Sequence, residues 1–259
     1  MKRAIDVARR TVERFFALEG FDRAMALAGQ AFAALMPLLI VIGAVSPALG
    51  KDTASSVIDR LGLTGEAADA VRAAVAQPAA IEDGVSALGF VVLLISALAF
   101  TRALQRLYVR AWGLDKMGVR GNVWGLLWLL AFAVFGSIQP AILSLFSGDG
   151  EIAASLATAC VLWLFTPWLL VGRKIYWLRL LPQALLTSAG LTMLGVAAAI
   201  YMPRADGSAA AQFVFIGVAF ALLSFLFVAA LVVVVMAALG STLSEPAGGS
   251  DRAAITRSG

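Results

Sequence analysis

The sequence contains no histidine and a single cysteine, Cys160, in 259 residues. Without histidine the chain has no His-based metal site, no imidazole general base and no hydrolytic triad of the usual kind. One cysteine cannot form an intrachain disulfide, and the sequence contains neither a Walker motif nor paired acids in an apolar run. An active site therefore cannot be assembled from recognised parts, and we expect no catalytic residue, no cofactor and no metal.

Acidic residues are missing from six long apolar runs that dominate the chain, which is 61% hydrophobic and 14% charged. A helix needs about 20 apolar residues to cross the hydrocarbon core of a bilayer. Continuous hydrophobicity without alternation excludes a β-barrel, the other structure that can span lipid. The sequence therefore predicts an all-α polytopic membrane protein with six transmembrane helices. They cover approximately Ala24–Leu49, Val85–Thr101 with a continuation to about Tyr108, Val123–Phe146, Ile152–Gly172, Leu180–Met202 and Gln212–Ser241.

Three segments follow from this pattern. Residues 1–23 are predicted to form an amphipathic helix, which either rests on the cytoplasmic headgroups or packs against the bundle. Residues 24–241 form the transmembrane domain, with a helical outer loop at 50–84. Residues 242–259 are rich in Ser, Gly and Ala and predict a disordered cytoplasmic tail.

The distribution of basic residues predicts the orientation of the chain. With the amino terminus inside, the cytoplasmic segments hold 16 of the 20 Lys and Arg residues and the outer segments hold four. Because positively charged loops stay on the cytoplasmic side, both termini are predicted to be cytoplasmic. The lack of acids in the runs also argues against a carboxylate-based proton or sodium relay.

A basic face ends the second predicted span. Arg102, Arg106 and Arg110 are spaced four residues apart and share one side of a helix, with Gln105 beside them. Guanidinium groups bind phosphate oxygens in pairs, so the face is a candidate site for a phospholipid headgroup or another anion. The alternative is simple anchoring by side chains that extend to the cytoplasmic headgroups.

A second basic patch follows the fourth predicted span. Arg173, Lys174 and Arg179 lie on the same predicted side of the membrane as the first patch. We expect the two patches to line one electropositive vestibule.

Polar and proline residues within the predicted spans are candidates for shaping or gating a cavity. Gln30 would either form an interhelical hydrogen bond or contact a substrate. Pro37, Pro140 and Pro167 interrupt spans and free backbone carbonyls.

Several segments resemble the YihY/BrkB family of bacterial inner-membrane proteins, formerly called ribonuclease BN. Residues 24–39 (AMALAGQAFAALMPLL) are similar to the family's alanine-rich first helix, and residues 101–113 (TRALQRLYVRAWG) to its segment before a Trp-Gly pair. Residues 179–182 (RLLP) and 217–224 (GVAFALLS) resemble the entry to its fifth helix and part of its last helix. Gln183 stands where Gly is usual, and Gln30 and Phe32 lie where the family has small residues and Tyr. The resemblance implies six spans and a location in the bacterial cytoplasmic membrane, without an agreed activity.

Three functions are compatible with these features. The leading hypothesis is a non-enzymatic protein that binds or moves an anionic amphiphile such as a lipid, with anionic headgroups as its partners at the cytoplasmic face. The second is a membrane scaffold for protein partners, and a homo-oligomer is compatible with either. The third is an enzyme, including a ribonuclease, which the missing catalytic groups disfavour; we expect no nucleic-acid partner.

Overall fold

A computed structural model describes residues 2–45, 55, 58, 68, 69, 72, 83–115, 117, 118, 120–146, 148–201 and 214–244. This part of the chain contains helices and no strand, in agreement with the predicted all-α class. Seven helices are assigned within it: α1 (Lys2–Ala17), α2 (Gly20–Val45), α3 (Asp83–Ala111), α4 (Arg120–Leu143), α5 (Asp149–Leu170), α6 (Trp177–Tyr201) and α7 (Val214–Leu243).

Five of these helices are long and apolar enough to cross a membrane. Within the described residues the candidate spans are Val91–Ala111, Gly121–Leu143, Ala153–Leu170, Trp177–Ala198 and Leu222–Leu243. They confirm a membrane protein with several crossings and the predicted extension of the second span beyond Thr101. The first predicted span coincides with the 26-residue helix α2, whose side chains are described only to residue 35. A count of six spans therefore stays a prediction.

The outer loop and the tail lie mostly outside the described residues. In the loop, Ser55, Ile58, Ala68, Asp69 and Arg72 are described and are helical. The predicted disordered tail at 242–259 is described only to Ser244, and α7 continues to Leu243. Neither prediction is tested beyond these residues.

The amino-terminal helix ends earlier than the predicted segment of residues 1–23. It stops at Ala17, and α2 begins at Gly20 after a sharp turn. The ring of Phe15 folds back so closely that a Cβ at Gly20 would overlap it. Glu19 adopts φ of +55°, a left-handed conformation that ends a helix and usually requires Gly. The chain therefore turns between two helices at Glu19 and Gly20.

The chain forms two compact units. Unit 1 comprises residues 1–23, 104–189 and 232–259, and unit 2 comprises residues 24–103 and 190–231. In unit 2, Ala24, Leu27 and Ala28 of α2 are buried, and the Thr101 hydroxyl donates to the carbonyl of Ala97 at 2.7 Å. The candidate site lies in unit 1.

Side-chain hydrogen bonds tie the helices of unit 1 together. Trp128 Nε1 of α4 donates to Thr166 Oγ1 of α5 at 3.2 Å, where α4 packs against α5. Trp112 Nε1, just after α3, donates to Gln183 Oε1 of α6 at 3.3 Å. Bonds of this kind help to hold membrane helices in register, because lipid provides no hydrophobic force between them.

A glycine allows the last helix to approach α6 closely. A Cβ placed on Gly240 of α7 would lie 2.5 Å from Cβ of Gln183. Nearby, the Ser244 hydroxyl donates to the carbonyl of Arg179 at 2.9 Å. The carboxyl end of α7 and the amino end of α6 are therefore in contact.

Candidate anion-binding site

The predicted basic face lies on α3. Arg102, Arg106 and Arg110 are all exposed, whereas Leu107 and Tyr108 between them are fully buried. One side of the helix thus packs into the protein and another presents arginines at successive turns. The face is divided between the units, because Arg106 and Arg110 belong to unit 1 and Arg102 to unit 2.

Two residues that the sequence analysis missed complete the site in unit 1. The Glu19 carboxylate lies 3.6 Å from Arg23 Nη2 and 3.8 Å from Arg110 Nη1. The helical turn that starts at Glu19 places Arg23 four residues later, and Arg110 comes from the end of α3. The Glu-x-x-x-Arg spacing predicts the first ion pair, but the second requires the fold. We call Arg23, Arg106 and Arg110 the arginine cluster.

The cluster concentrates positive charge. The pKa of Arg23 is lowered, first by burial of the guanidinium and then by the charges of Arg110 and Arg106, while Glu19 opposes this shift. Arginine nevertheless stays protonated, because its ordinary pKa lies far above neutral pH. The Glu19 carboxylate contacts Arg23 and Arg110, and Arg106 adds a third positive charge near Arg23, so the cluster favours an anion.

Gln105 is placed differently from the arginines. Its side chain is buried, and Nε2 donates to the carbonyls of Leu170 at 2.8 Å and Gly121 at 3.3 Å. A Cβ at Gly121 would lie 2.9 Å from Gln105 Oε1, so the absence of a side chain there admits the amide. Gln105 joins α3 to α4 and α5, and its predicted contact with a ligand remains untested.

The second basic patch surrounds the turn between α5 and α6. Arg173, Lys174 and Arg179 are exposed, and the Arg173 guanidinium lies 4.6 Å from the centroid of the Trp168 ring. Arg173 has φ of +61°, and its N–H donates to the carbonyl of Trp168 at 2.9 Å. This geometry holds Arg173 against Trp168 by a cation–π contact.

Arg106 and Arg110 of the first patch lie at the same end of unit 1 as the second patch. The bond from Gln105 to Leu170 connects the residue before Arg106 to the helix end three residues before Arg173. The hydrogen bond from Trp112 to Gln183 likewise connects the residues just after Arg110 to the part of α6 that follows Arg179. A single electropositive vestibule that uses both patches remains a prediction.

The family of the chain follows from a comparison with sequence models of known families. The sequence model of the family described as Virulence factor BrkB matches residues 11–257, which is nearly the whole chain. The chain belongs to this family. No curated protein and no solved structure matches it.

The arginine cluster lies within the segment that the BrkB model matches, since Arg23, Arg106 and Arg110 all fall between residues 11 and 257. Membership of the BrkB family and the five apolar helices establish a multi-pass membrane protein. The side of the membrane on which the cluster lies is a prediction from the distribution of Lys and Arg in the sequence.

The predicted gating residues are spread over three helices. Gln30 lies in α2, and its Oε1 atom is buried without a hydrogen-bond partner among the described residues. Pro167 lies inside α5 and is fully buried, and its carbonyl accepts the N–H of Val171 at 3.0 Å. Pro37 and Pro140 fall within α2 and α4, and their side chains lie outside the described residues. A gating role for these four residues remains a prediction.

Proposed function

We propose that this BrkB-family protein binds the phosphate group of an anionic amphiphile, such as a phospholipid, at the arginine cluster and does not act as an enzyme. The observation that carries the proposal is the ion-pair geometry of Glu19, Arg23 and Arg110, in which a carboxylate already lies between two guanidinium groups. An anionic group is therefore accommodated there, and a phosphate is a larger anion with more acceptor oxygens.

The surroundings of the cluster favour a lipid over a soluble anion. Helix α1 buries Thr11 and Phe15, but it exposes Ile5, Val12 and Phe16. At 3.6 residues per turn these three apolar side chains lie within an arc of about 40°. An exposed apolar stripe on a helix rich in arginine is typical of helices at the membrane surface. The proposal thus has α1 resting on the headgroups beside the cluster.

The first experiment removes the basic face of α3. We expect the triple variant Arg102→Gln, Arg106→Gln, Arg110→Gln to bind short-chain phosphatidylglycerol about 10- to 100-fold more weakly than the wild type, because hydrogen bonds to charged groups are worth about 1.5–3 kcal/mol. The affinity is measured by calorimetry on the full-length protein in neutral detergent. Short-chain phosphatidylcholine provides the zwitterionic comparison.

A matched control removes the same charge elsewhere. Arg60, Arg72 and Arg204 lie in segments that the charge distribution predicts to be on the other side of the membrane. The variant Arg60→Gln, Arg72→Gln, Arg204→Gln is expected to keep most of the affinity. Equal losses in both triple variants would mean that the total charge governs binding, and unchanged binding in the α3 variant would contradict the proposal.

The scaffold alternative depends on the outer loop at 50–84, most of which lies outside the described residues. A stoichiometric protein partner that co-purifies and is lost on deletion of this loop would favour it over lipid binding.

A further inference from the structure

The Glu19 carboxylate lies in the arginine cluster as a bound anion would, rather than as the partner in a close structural ion pair. Its carboxylate oxygen Oε2 faces guanidinium groups of both α2 and α3. The distances of 3.6 and 3.8 Å are longer than the roughly 2.7–2.9 Å of a charge-assisted hydrogen bond. The carboxylate is therefore held by charge attraction without close hydrogen bonds to these two arginines, and a better-fitting anion can replace it.

The backbone at Glu19 is unfavourable for this residue type. A non-glycine residue at φ of +55° is strained, because its Cβ approaches the following carbonyl oxygen. Glycine follows at position 20, where the Phe15 ring leaves no room for a Cβ. Steric demand thus explains Gly20 but does not explain a glutamate at position 19. Strained residues of this kind concentrate at functional sites, where the side chain is what the site needs.

Glu19 and its partner Arg23 also differ in the exposed fraction of their side chains. The Arg23 side chain is 19% exposed, whereas those of Glu19 and Arg110 are 59% and 54% exposed. Arg23 is fixed further by its Nε, which donates to the carbonyl of Leu18. The Arg23 guanidinium is therefore the more buried and more firmly held member of the cluster. The Glu19 carboxylate is exposed and can move away from it.

We propose that a phosphate-bearing ligand binds to Arg23, Arg106 and Arg110 in the place of the Glu19 carboxylate, which acts as a built-in competitor for the site. This inference rests on the proposed function and adds two parts to it. Arg23 is a further binding residue, and Glu19 weakens the affinity so that a headgroup exchanges readily. The shared chemistry is a phosphate oxygen, which either a lipid headgroup or free phosphate supplies.

The main test removes the competitor. The variant Glu19→Gln is expected to bind short-chain phosphatidylglycerol about three- to tenfold more tightly than the wild type, since exposed ion pairs are worth up to about 1 kcal/mol each. Glu19→Gly removes the carboxylate and also relieves the backbone strain, so it should fold at least as well and show the same gain. Affinity is measured by calorimetry on the full-length protein, and thermal unfolding checks that each variant is folded.

Control variants separate competition from general electrostatics. Glu13 also loses an ion pair when it is replaced, because it lies 3.6 Å from Arg9 on α1. Glu13→Gln should leave the affinity within about twofold of the wild type. In an Arg23→Gln, Arg110→Gln background, binding should be weak and Glu19→Gln should give no further gain.

Inorganic phosphate serves as a second probe and identifies the source of the ligand. A gain in affinity in Glu19→Gln supports the inference whether it is seen for both probes or for the lipid alone. A gain for the lipid alone means that the lipid chain is also recognised. A wild-type affinity in Glu19→Gln or Glu19→Gly, or an equal gain in Glu13→Gln, overturns it. If the wild type binds phosphatidylglycerol no better than the α3 triple variant, the proposed function falls and this inference with it. If those two differ and the Glu19 variants do not, only the inference falls.

Discussion

Replacing Gly240 by alanine is expected to lower the free energy of unfolding by about 3 kcal/mol, the upper end of the usual cost of overpacking. The new Cβ would lie 2.5 Å from Cβ and 3.0 Å from Cγ of Gln183, closer than carbon atoms can pack. Because Gln183 Cβ is fixed to the backbone of α6, the two helices must move apart, and overpacking of this kind typically costs 1–3 kcal/mol. The same shift would disturb the bond from Trp112 Nε1 to Gln183 Oε1. Thermal unfolding of the purified protein in detergent measures the change.

Gly136 provides the matched control for this prediction. It lies in the interior of α4, and a Cβ there would meet no atom within 4 Å. Gly136→Ala should therefore keep or raise the melting temperature, since alanine favours a helix over glycine by about 1 kcal/mol. A melting temperature of Gly240→Ala equal to that of the wild type would mean that α6 and α7 do not meet at this point.

Replacing Gln105 by leucine is expected to destabilise the protein by about 2 kcal/mol. The amide of Gln105 donates to the carbonyl of Leu170, the last residue of α5, where a helix has no backbone donor of its own to offer. A buried carbonyl left without a donor costs roughly 1–3 kcal/mol. Leucine keeps the apolar volume, so the loss should report the hydrogen bonds rather than a cavity.

Gln30 gives the opposite expectation for the same substitution. Its Oε1 atom is buried and has no partner among the described residues, so leucine removes a cost rather than a bond. Gln30→Leu should therefore be neutral or stabilising in thermal unfolding. Loss of lipid binding in a Gln30→Leu protein of unchanged stability would support the predicted role of this residue in gating, whereas strong destabilisation would contradict the unpaired state of its Oε1 atom.

Much of the fold follows from the sequence, because long apolar runs admit few structures in lipid. The continuation of the second run through Arg102 to Tyr108 illustrates this, since arginine side chains can extend to the membrane surface while the helix continues. The end of α1 at Ala17 could not be derived in the same way. It depends on the ring of Phe15 folding over Gly20, and residue types alone do not determine that contact.

The candidate site was only half predictable. Helical periodicity places Arg102, Arg106 and Arg110 on one face, because residues four apart are neighbours on a helix. It does not bring Glu19 to Arg110, 91 positions later in the chain, since that contact depends on how α1 and α3 pack. Gln105 shows the reverse limit. Its position beside the arginines suggested a ligand contact, but a rotation of one residue along a helix, about 100°, turns the amide into the interior.

The most direct test of the central claim is an experimental structure of the protein in a bilayer that contains phosphatidylglycerol. We predict a phosphate group within hydrogen-bond distance of Arg23, Arg106 and Arg110, with the Glu19 carboxylate moved away from Arg110. A structure in which Glu19 still lies between Arg23 and Arg110, with no anion at the arginine cluster at saturating lipid, would contradict the account.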